Sequence, residues 1–376
     1  MALEGDYRFI QSAPIPAEAP PRRSTGAVYW LRNNLFSSVS NTILTVVVVA
    51  FFLWIVPIIY NFFIGQAVFT GTMDDCRVEN VGACWVFVTG RITFMIYGFY
   101  PAAEYWRPNL VFIVGILLVV PLLWPKAPFK VTNFILFFIV YPVVAFFLLT
   151  GGVFGLRPVP TSMWGGLMVT LILAVVGVVG SIPIGIFLAL GRRSKLPIIK
   201  TFCILFIELW RAMPLITVLF MVSVMLPLFM SQSTDVDKLL RALVAVTVFY
   251  GAYMAEVVRG GLQALPRGQY EAAASLGLNY WKSMTFIILP QALKHVIPGI
   301  VGTLISLVKD TSLVAIIGIF DLLNAIQSAG SDSKWSSPTA PFTGYAFAIL
   351  IFFAMCFSLS RYSLYMERRL STGHKR

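Results

Sequence analysis

Long, almost unbroken apolar runs leave this chain few folds to choose from. They cover residues 39–64, 109–124, 131–150, 166–190, 198–229, 239–258, 296–320 and 343–365, and few charges interrupt them. A helix needs roughly 20 apolar residues to cross the hydrocarbon core of a bilayer. Every backbone N–H and C=O must find its partner within the segment, because lipid offers none. A β-barrel would instead alternate in stretches of about ten residues. Of the 376 residues, 58% are hydrophobic and only 12% charged, where a soluble domain carries about a quarter charged residues. The expectation is an all-α integral membrane protein with about eight transmembrane helices. The second run makes only about 24 Å of helix, so it should bend or extend into its flanks. The fifth is long and holds Pro214 and Pro227, which predict a kink or a break.

Orientation follows the distribution of Lys and Arg. With the N-terminus inside, the inner segments hold Arg22, Arg23, Arg32, Lys126, Lys130, Arg192, Arg193 and Lys195. They also hold Arg259, Arg267, Lys282, Lys294, Arg368, Arg369, Lys375 and Arg376. The outer segments are poorer, with Arg77, Arg91, Arg107, Arg157, Lys238 and Lys334. Both termini are expected in the cytoplasm. The net charge of +12 lies at the ends of apolar runs and forms no basic face, so no nucleic-acid partner is expected. Residues 1–38, polar and Pro-rich without a cleavable signal pattern, read as a flexible cytoplasmic tail.

The chain divides into an N-terminal region, 39–150, with three spans and an outside insertion at 65–108, and a region of five spans over 160–370. The insertion is too polar to span. Its "RITFMIYGFYPAAEYW" is aromatic and partly amphipathic, which suits a segment lying along the outer interface or an ordinary folded loop. Cys76 and Cys84 both fall in the insertion, where an oxidising compartment would permit a disulfide; two neighbouring free thiols are the alternative. Cys203 and Cys356 lie within runs and read as small apolar fillers.

One inside stretch, "EAAASLGLNYWKSMTFIILPQA" from Glu271 to Ala292, is neither span nor simple loop. It has the form E-A-A, three residues, Gly, nine residues, Ile, one residue, Leu-Pro: Glu271, Ala272, Ala273, Gly277, Ile287, Leu289 and Pro290. The alanine-rich part predicts a short helix ended by Gly277. The part after it predicts a second short helix stopped by Pro290. Together they form an elbow whose small residues let another protein surface approach closely.

This stretch resembles the EAA loop of bacterial ABC importer permeases. "GLMVTLILAVVGVVGSIPIGIFLAL" (166–190), "ELWRAMPL" (208–215), "YMAEVVRGGLQALPRGQYEAA" (253–273) and "LVKDTSLVAIIG" (307–318) are similar to signatures of the histidine/glutamine/arginine, or polar amino acid, group. The longer N-terminal region resembles the M-type permease subunit of general L-amino-acid transporters. The resemblance implies a type I ABC importer permease core of five helices plus a three-helix N-terminal extension, in the bacterial inner membrane. It implies a transport subunit that moves L-amino acids, polar or of broad range, from periplasm to cytoplasm. The implied partners are a sister permease forming a heterodimer, a periplasmic solute-binding protein and ATPase subunits, which carry ATP and Mg. The elbow, about 260–292, would dock on the ATPase through Glu271, Ala272, Ala273, Gly277, Ile287, Leu289 and Pro290. No G-x-x-x-x-G-K-[ST] phosphate loop occurs in the sequence, so neither hydrolysis nor a cofactor is expected of this chain. No metal site is expected either: the sequence has no metal-ligand spacing.

Ionisable groups inside a membrane cost roughly 2.5–3.5 kcal/mol each on insertion scales and are functional candidates by default. Glu208 and Arg211 stand i,i+3, with Pro214 able to open the helix beyond them. Lys309 and Asp310, followed by Thr311 and Ser312, fall near the middle of the seventh run. A zwitterionic amino acid needs both signs, and these six residues could provide them. Alternatively the four charges neutralise one another across a helix pair. Thr170, Tyr250 and Tyr253 are candidate pathway liners, Glu256 and Arg259 a local pair, and His295 an isolated interfacial residue. An ion-gradient-driven transporter or channel is the competing function, although residues 1–150 and 160–376 show none of the internal repeats such transporters often carry.

Overall fold

The computed structural model describes residues 26–124, 127–153, 155–230 and 236–370. Most of the expected tail (1–25), with Arg22 and Arg23, and also Lys126, Lys375 and Arg376, lie outside the described residues. The chain forms two compact units, Met1–Gln66 and Ala67–Arg376. In the first, α1 (Ala27–Asn34) is followed by α2 (Val39–Tyr60), which Ser38 caps by accepting from Asn41 N–H. α2 is apolar on every side, the pattern of a helix meant for lipid. A π-turn at Asn61–Gly65 completes a span of Val39–Gly65.

The second unit begins with the insertion. Cys76 and Cys84 are joined by a disulfide, with Cα atoms 5.7 Å apart. α3 (Trp85–Tyr97) follows. It does not lie alone along an interface: Phe87, Val88 and Met95 are buried in a cluster with Leu322, Ile326 and Ala348. Its one cation, Arg91, is shared between Asp332, at 3.4 Å, and the rings of Phe94 and Trp335. That pairing lets a helix with a polar centre sit within the fold. α4 (Trp106–Leu123) is extended by a 3₁₀ turn to a span of Ala102–Leu123. α5 (Lys130–Ile135) and α6 (Tyr141–Thr150), joined by a π-turn, make the next span.

Then come α7 (Gly166–Arg192), α8 (Pro197–Ala212), α9 (Leu215–Phe220), α10 (Leu226–Phe229) and α11 (Lys238–Ala264). The elbow holds α12 (Arg267–Ser275), α13 (Tyr280–Ser283) and α14 (Leu289–His295). The chain closes with α15 (Ile297–Asp310), a 3₁₀ stretch Thr311–Ile317, α16 (Leu322–Ser331) and α17 (Ala340–Leu370). Among the described residues, seven helices are long and apolar enough to cross a membrane, or eight if the pair Pro197–Ala212 and Leu215–Phe229 counts as one. That pair is bent by 101°, at Met213–Pro214. Pro214 has no N–H to continue the ladder and holds Met213 extended, with φ −100° and ψ 142°. The fifth run is therefore two helices at a corner.

α7 and α11 form the central seam. A Cβ on Gly185 would lie 2.6 Å from the Met254 side chain, and one on Gly251 2.5 Å from Ile184. Small residues let backbones approach where lipid supplies no hydrophobic drive. An apolar cluster at the elbow end joins Leu190, Ile207, Met254, Leu262, Ile288 and Leu304.

At the opposite end, called here the disulfide end, polar groups are buried and paired. Arg107 is 1% exposed; it faces Glu104 at 2.9 Å and donates to the Arg157 carbonyl at 2.7 Å. Asp321 is fully buried and caps α16, accepting from the N–H groups of Leu323 and Asn324. Burial pushes its carboxyl up to about 6, although those two donors pull the other way. Thr170 is not a pathway liner: it is fully buried, and its hydroxyl accepts from Leu322 N–H at 3.1 Å. Leu322 is the first residue of α16, whose N–H has no partner within the helix.

Candidate functional site

The corner at Pro214 opens a cavity of about 640 Å³. Met213 and Pro214 form one wall, Phe249, Tyr250 and Tyr253 of α11 another, and Thr303, Ser306 and Asp310 of α15 a third. Thr303 and Ser306 donate to carbonyls of their own helix, at Gly299 and Gly302. Asp310 is the charged residue of the lining, and its carboxylate accepts from the buried Tyr250 hydroxyl at 2.5 Å. The helix stops there. Beyond Asp310 the chain winds as a 3₁₀ stretch of seven residues, long for a form that usually runs three or four and often marks a hinge.

The other intramembrane candidates do not converge on Asp310. Lys309 is exposed and points elsewhere; it does not line the cavity. Thr311 is fully buried, its hydroxyl spent on the Val308 carbonyl, and Ser312 donates to the Lys309 carbonyl. Glu208 and Arg211 belong to a different cluster, and their own contact is loose, at 3.9 Å. The closer partner of Glu208 is Arg192, at 2.9 Å, which also holds Glu256 at 2.7 Å. Glu256 in turn takes two donors from Arg259, Nε at 2.9 Å and Nη2 at 2.7 Å. Arg211 lies 5.6 Å over the Tyr253 ring, so the cluster borders the cavity through one aromatic wall. Among the described residues no ion pair joins Lys309 or Asp310 to Glu208 or Arg211. A single pocket with both signs is therefore not formed.

Arg192 is the residue that sequence reasoning missed. It counts as one of the inside charges, yet it sits where α7, α8 and α11 meet. The available signal is stoichiometric: two carboxylates at Glu208 and Glu256 face three arginines once the end of α7 is included.

The elbow forms by local chemistry. α12 ends in a Schellman arrangement: Gly277 N–H donates to Ala274, and Leu278 N–H to Ala273. Gly277 has φ +71°, and a Cβ there would touch nothing within 4 Å. Its need for glycine is thus conformational within this chain. Asn279 then caps α13, accepting from Lys282 N–H at 2.9 Å. Pro290 does not stop the second helix. A π-turn at Met284–Ile288 precedes it, and the helix runs on to His295. The wider turn makes room for the proline ring, and Gln291 donates its side-chain amide to the Ile287 carbonyl. Of the motif residues, Ala273 is buried, Ile287 and Leu289 are half-buried, and Glu271, Ala272, Gly277 and Pro290 face outward. One face of the elbow is anchored and the other is open.

Comparison with known proteins gives consistent matches. A family model described as the binding-protein-dependent transport system inner membrane component matches residues 181–372. The chain is 50% identical over 359 residues to the inner membrane amino-acid ABC transporter permease YhdY of Escherichia coli K12, covering 94% of this chain and 97% of that one. It is 36% identical over 437 residues to BztC of Rhodobacter capsulatus, a glutamate/glutamine/aspartate/asparagine transport system permease, covering 98% and 100%. A probable glutamine ABC transporter permease, GlnP, of Bacillus subtilis is 33% identical over 207 residues, 55% of this chain and 93% of the relative.

Proposed function

The chain belongs to the amino-acid ABC transporter permeases, and from that premise we propose that it imports polar L-amino acids as one of two permeases driven by separate ATPase subunits. Its family members are transport subunits and not themselves enzymes. In this reading ATP and Mg act on the partner ATPases, a periplasmic solute-binding protein delivers the substrate, and a sister permease completes the pathway. Both termini face the cytoplasm, and so does the elbow.

The observation that carries the reading is the two-faced elbow. Its inner face is packed into the apolar cluster shared by α7, α8, α11 and α15, while Glu271, Ala272 and Gly277 are open to a partner. A push on the open face therefore acts on the membrane helices directly. Within the membrane, the cavity beside Pro214 suits an amino acid in size and polarity. Asp310, held by Tyr250, offers a carboxylate to the α-ammonium group, and the aromatic wall offers contact to the remainder. The breadth of substrates named for BztC supports a site that recognises the common ammonium group.

The test is uptake into membrane vesicles that contain all the subunits. Uptake is expected to require both ATP and the solute-binding protein, and Gly277→Pro or Glu271→Lys should abolish it while the permease stays in the membrane. Uptake driven by an ion gradient alone, or intact ATP-coupled uptake in both variants, would overturn the reading.

A further inference from the structure

We infer that the consecutive arginines at the end of α7 are the joint through which the elbow moves the walls of the cavity, with Arg193 and Tyr270 as positioning residues; this rests on the elbow being the ATPase-coupling element. Arg192 is the last residue of α7 and Arg193 the C-cap that follows it, and the two serve different bodies. Arg192 reaches into the membrane side and bridges Glu208 of α8 and Glu256 of α11. Arg193 reaches the elbow, where its guanidinium donates to the Tyr270 hydroxyl oxygen at 2.9 Å and lies 5.3 Å from that ring.

Arg193 and Tyr270 converge on a single acceptor. Arg193 donates to the Leu262 carbonyl at 3.0 Å, and Tyr270 O–H donates to the same oxygen at 2.9 Å. α11 ends at Ala264, so the Leu262 carbonyl is one of the last four, which have no partner within the helix. It also stands at the negative end of the α11 dipole, which favours a cation. Three elements, α7, α11 and α12, are thus tied at one oxygen that would otherwise be unsatisfied. Tyr270 is packed besides against the elbow-end apolar cluster.

The path from this joint to the cavity is short. Arg192 holds Glu208, four residues before the end of α8 at Ala212, and Met213 and Pro214 of the cavity wall follow. Arg211, on the same helix, covers Tyr253 of the opposite wall. A movement of α12 would therefore carry the ends of α7 and α11 with it, and through Arg192 the wall formed by α8.

The experiment compares Tyr270→Phe and Arg193→Gln with wild type in the complete complex, reconstituted in liposomes with ATPases and solute-binding protein. Tyr270→Phe removes one oxygen and keeps the ring. Three quantities are measured: ATPase retained on purification, ATP hydrolysis, and amino acid taken up per ATP. Both variants should retain the ATPase at the wild-type level while uptake per ATP falls roughly tenfold, the scale of one lost charge-assisted hydrogen bond. The double variant should be little worse than either single one, because both remove the same node. Wild-type uptake per ATP in both singles would overturn the inference, as would a loss confined to complex yield. Failure of the wild-type chain to retain an ATPase would instead overturn the elbow reading, and the inference with it.

Discussion

At the disulfide end, Arg107 and Asp321 are buried, the insertion is closed by Cys76–Cys84, and Arg77 donates to the carbonyls of Ser333, Lys334 and Ser336. At the elbow end, the polar groups are arginines and carboxylates on several helices, with Arg192 and Glu256 partly exposed and Arg193 exposed. The first set is built on the buried Arg107 and Asp321 and so costs much to break. The second is partly exposed and its members share partners, Arg192 with Glu208 and Glu256 and Glu256 with Arg192 and Arg259, so its contacts can exchange. Such a contrast suits a molecule that keeps one end fixed while the other accepts a push.

The sharpest way to break this comparison is at Arg107. Arg107→Leu removes the cation that faces Glu104 and donates to the Arg157 carbonyl, leaving the carboxylate only its bond from the Trp106 indole N–H, and loss of one member of a buried pair costs about 3–5 kcal/mol. The thermal midpoint of the purified permease should fall clearly; a midpoint within error of wild type would show that the disulfide end is not the fixed one. Asp321 supplies a second test, through pH. Its carboxyl titrates near 6 when folded against 3.8 as the ordinary value, so between those values the folded state holds the extra proton. Stability should therefore fall as pH rises from about 4 to about 6 and level off above, by up to about 3 kcal/mol. Asp321→Asn should flatten that slope, and an unchanged slope in the variant would assign it to other groups. The smallest effect is expected at the elbow end. Arg259→Gln should cost below about 1 kcal/mol and should matter less still in high salt, since its pair with Glu256 is partly exposed; a cost equal to that of Arg107→Leu would erase the contrast between the two ends.

Much of the architecture could be read from apolar runs, because a span must satisfy its own backbone and so declares itself locally. The break at Pro214 and the turn at Gly277 were legible for the same reason: a missing N–H and a positive φ are properties of single residues. Pro290 misled because the remedy, a π-turn five residues long, depends on how the preceding carbonyls are shared. The roles of Arg192 and Thr170 were hidden because each is defined by a helix distant in sequence. α3 was obscured by Arg91, a charge that is tolerable only once Asp332, Phe94 and Trp335 surround it. Of the charged candidates for the cavity, Asp310 lines it and Lys309 does not, since neighbouring residues on a helix cannot face the same way.

The 3₁₀ stretch after Asp310 has a consequence for distance and register. Its buried residues are Thr311, Val314 and Ile317, a period of three that keeps them on one straight edge. Seven residues at the 3₁₀ rise reach roughly 14 Å, where an α-helix would reach about 10.5 Å. The stretch is therefore a spacer that sets how far the cavity carboxylate of Asp310 stands from the buried cap at Asp321. Adding or deleting one residue would turn everything beyond it by about 120°, carrying the cap off its seat even though every side chain in the cavity stayed the same.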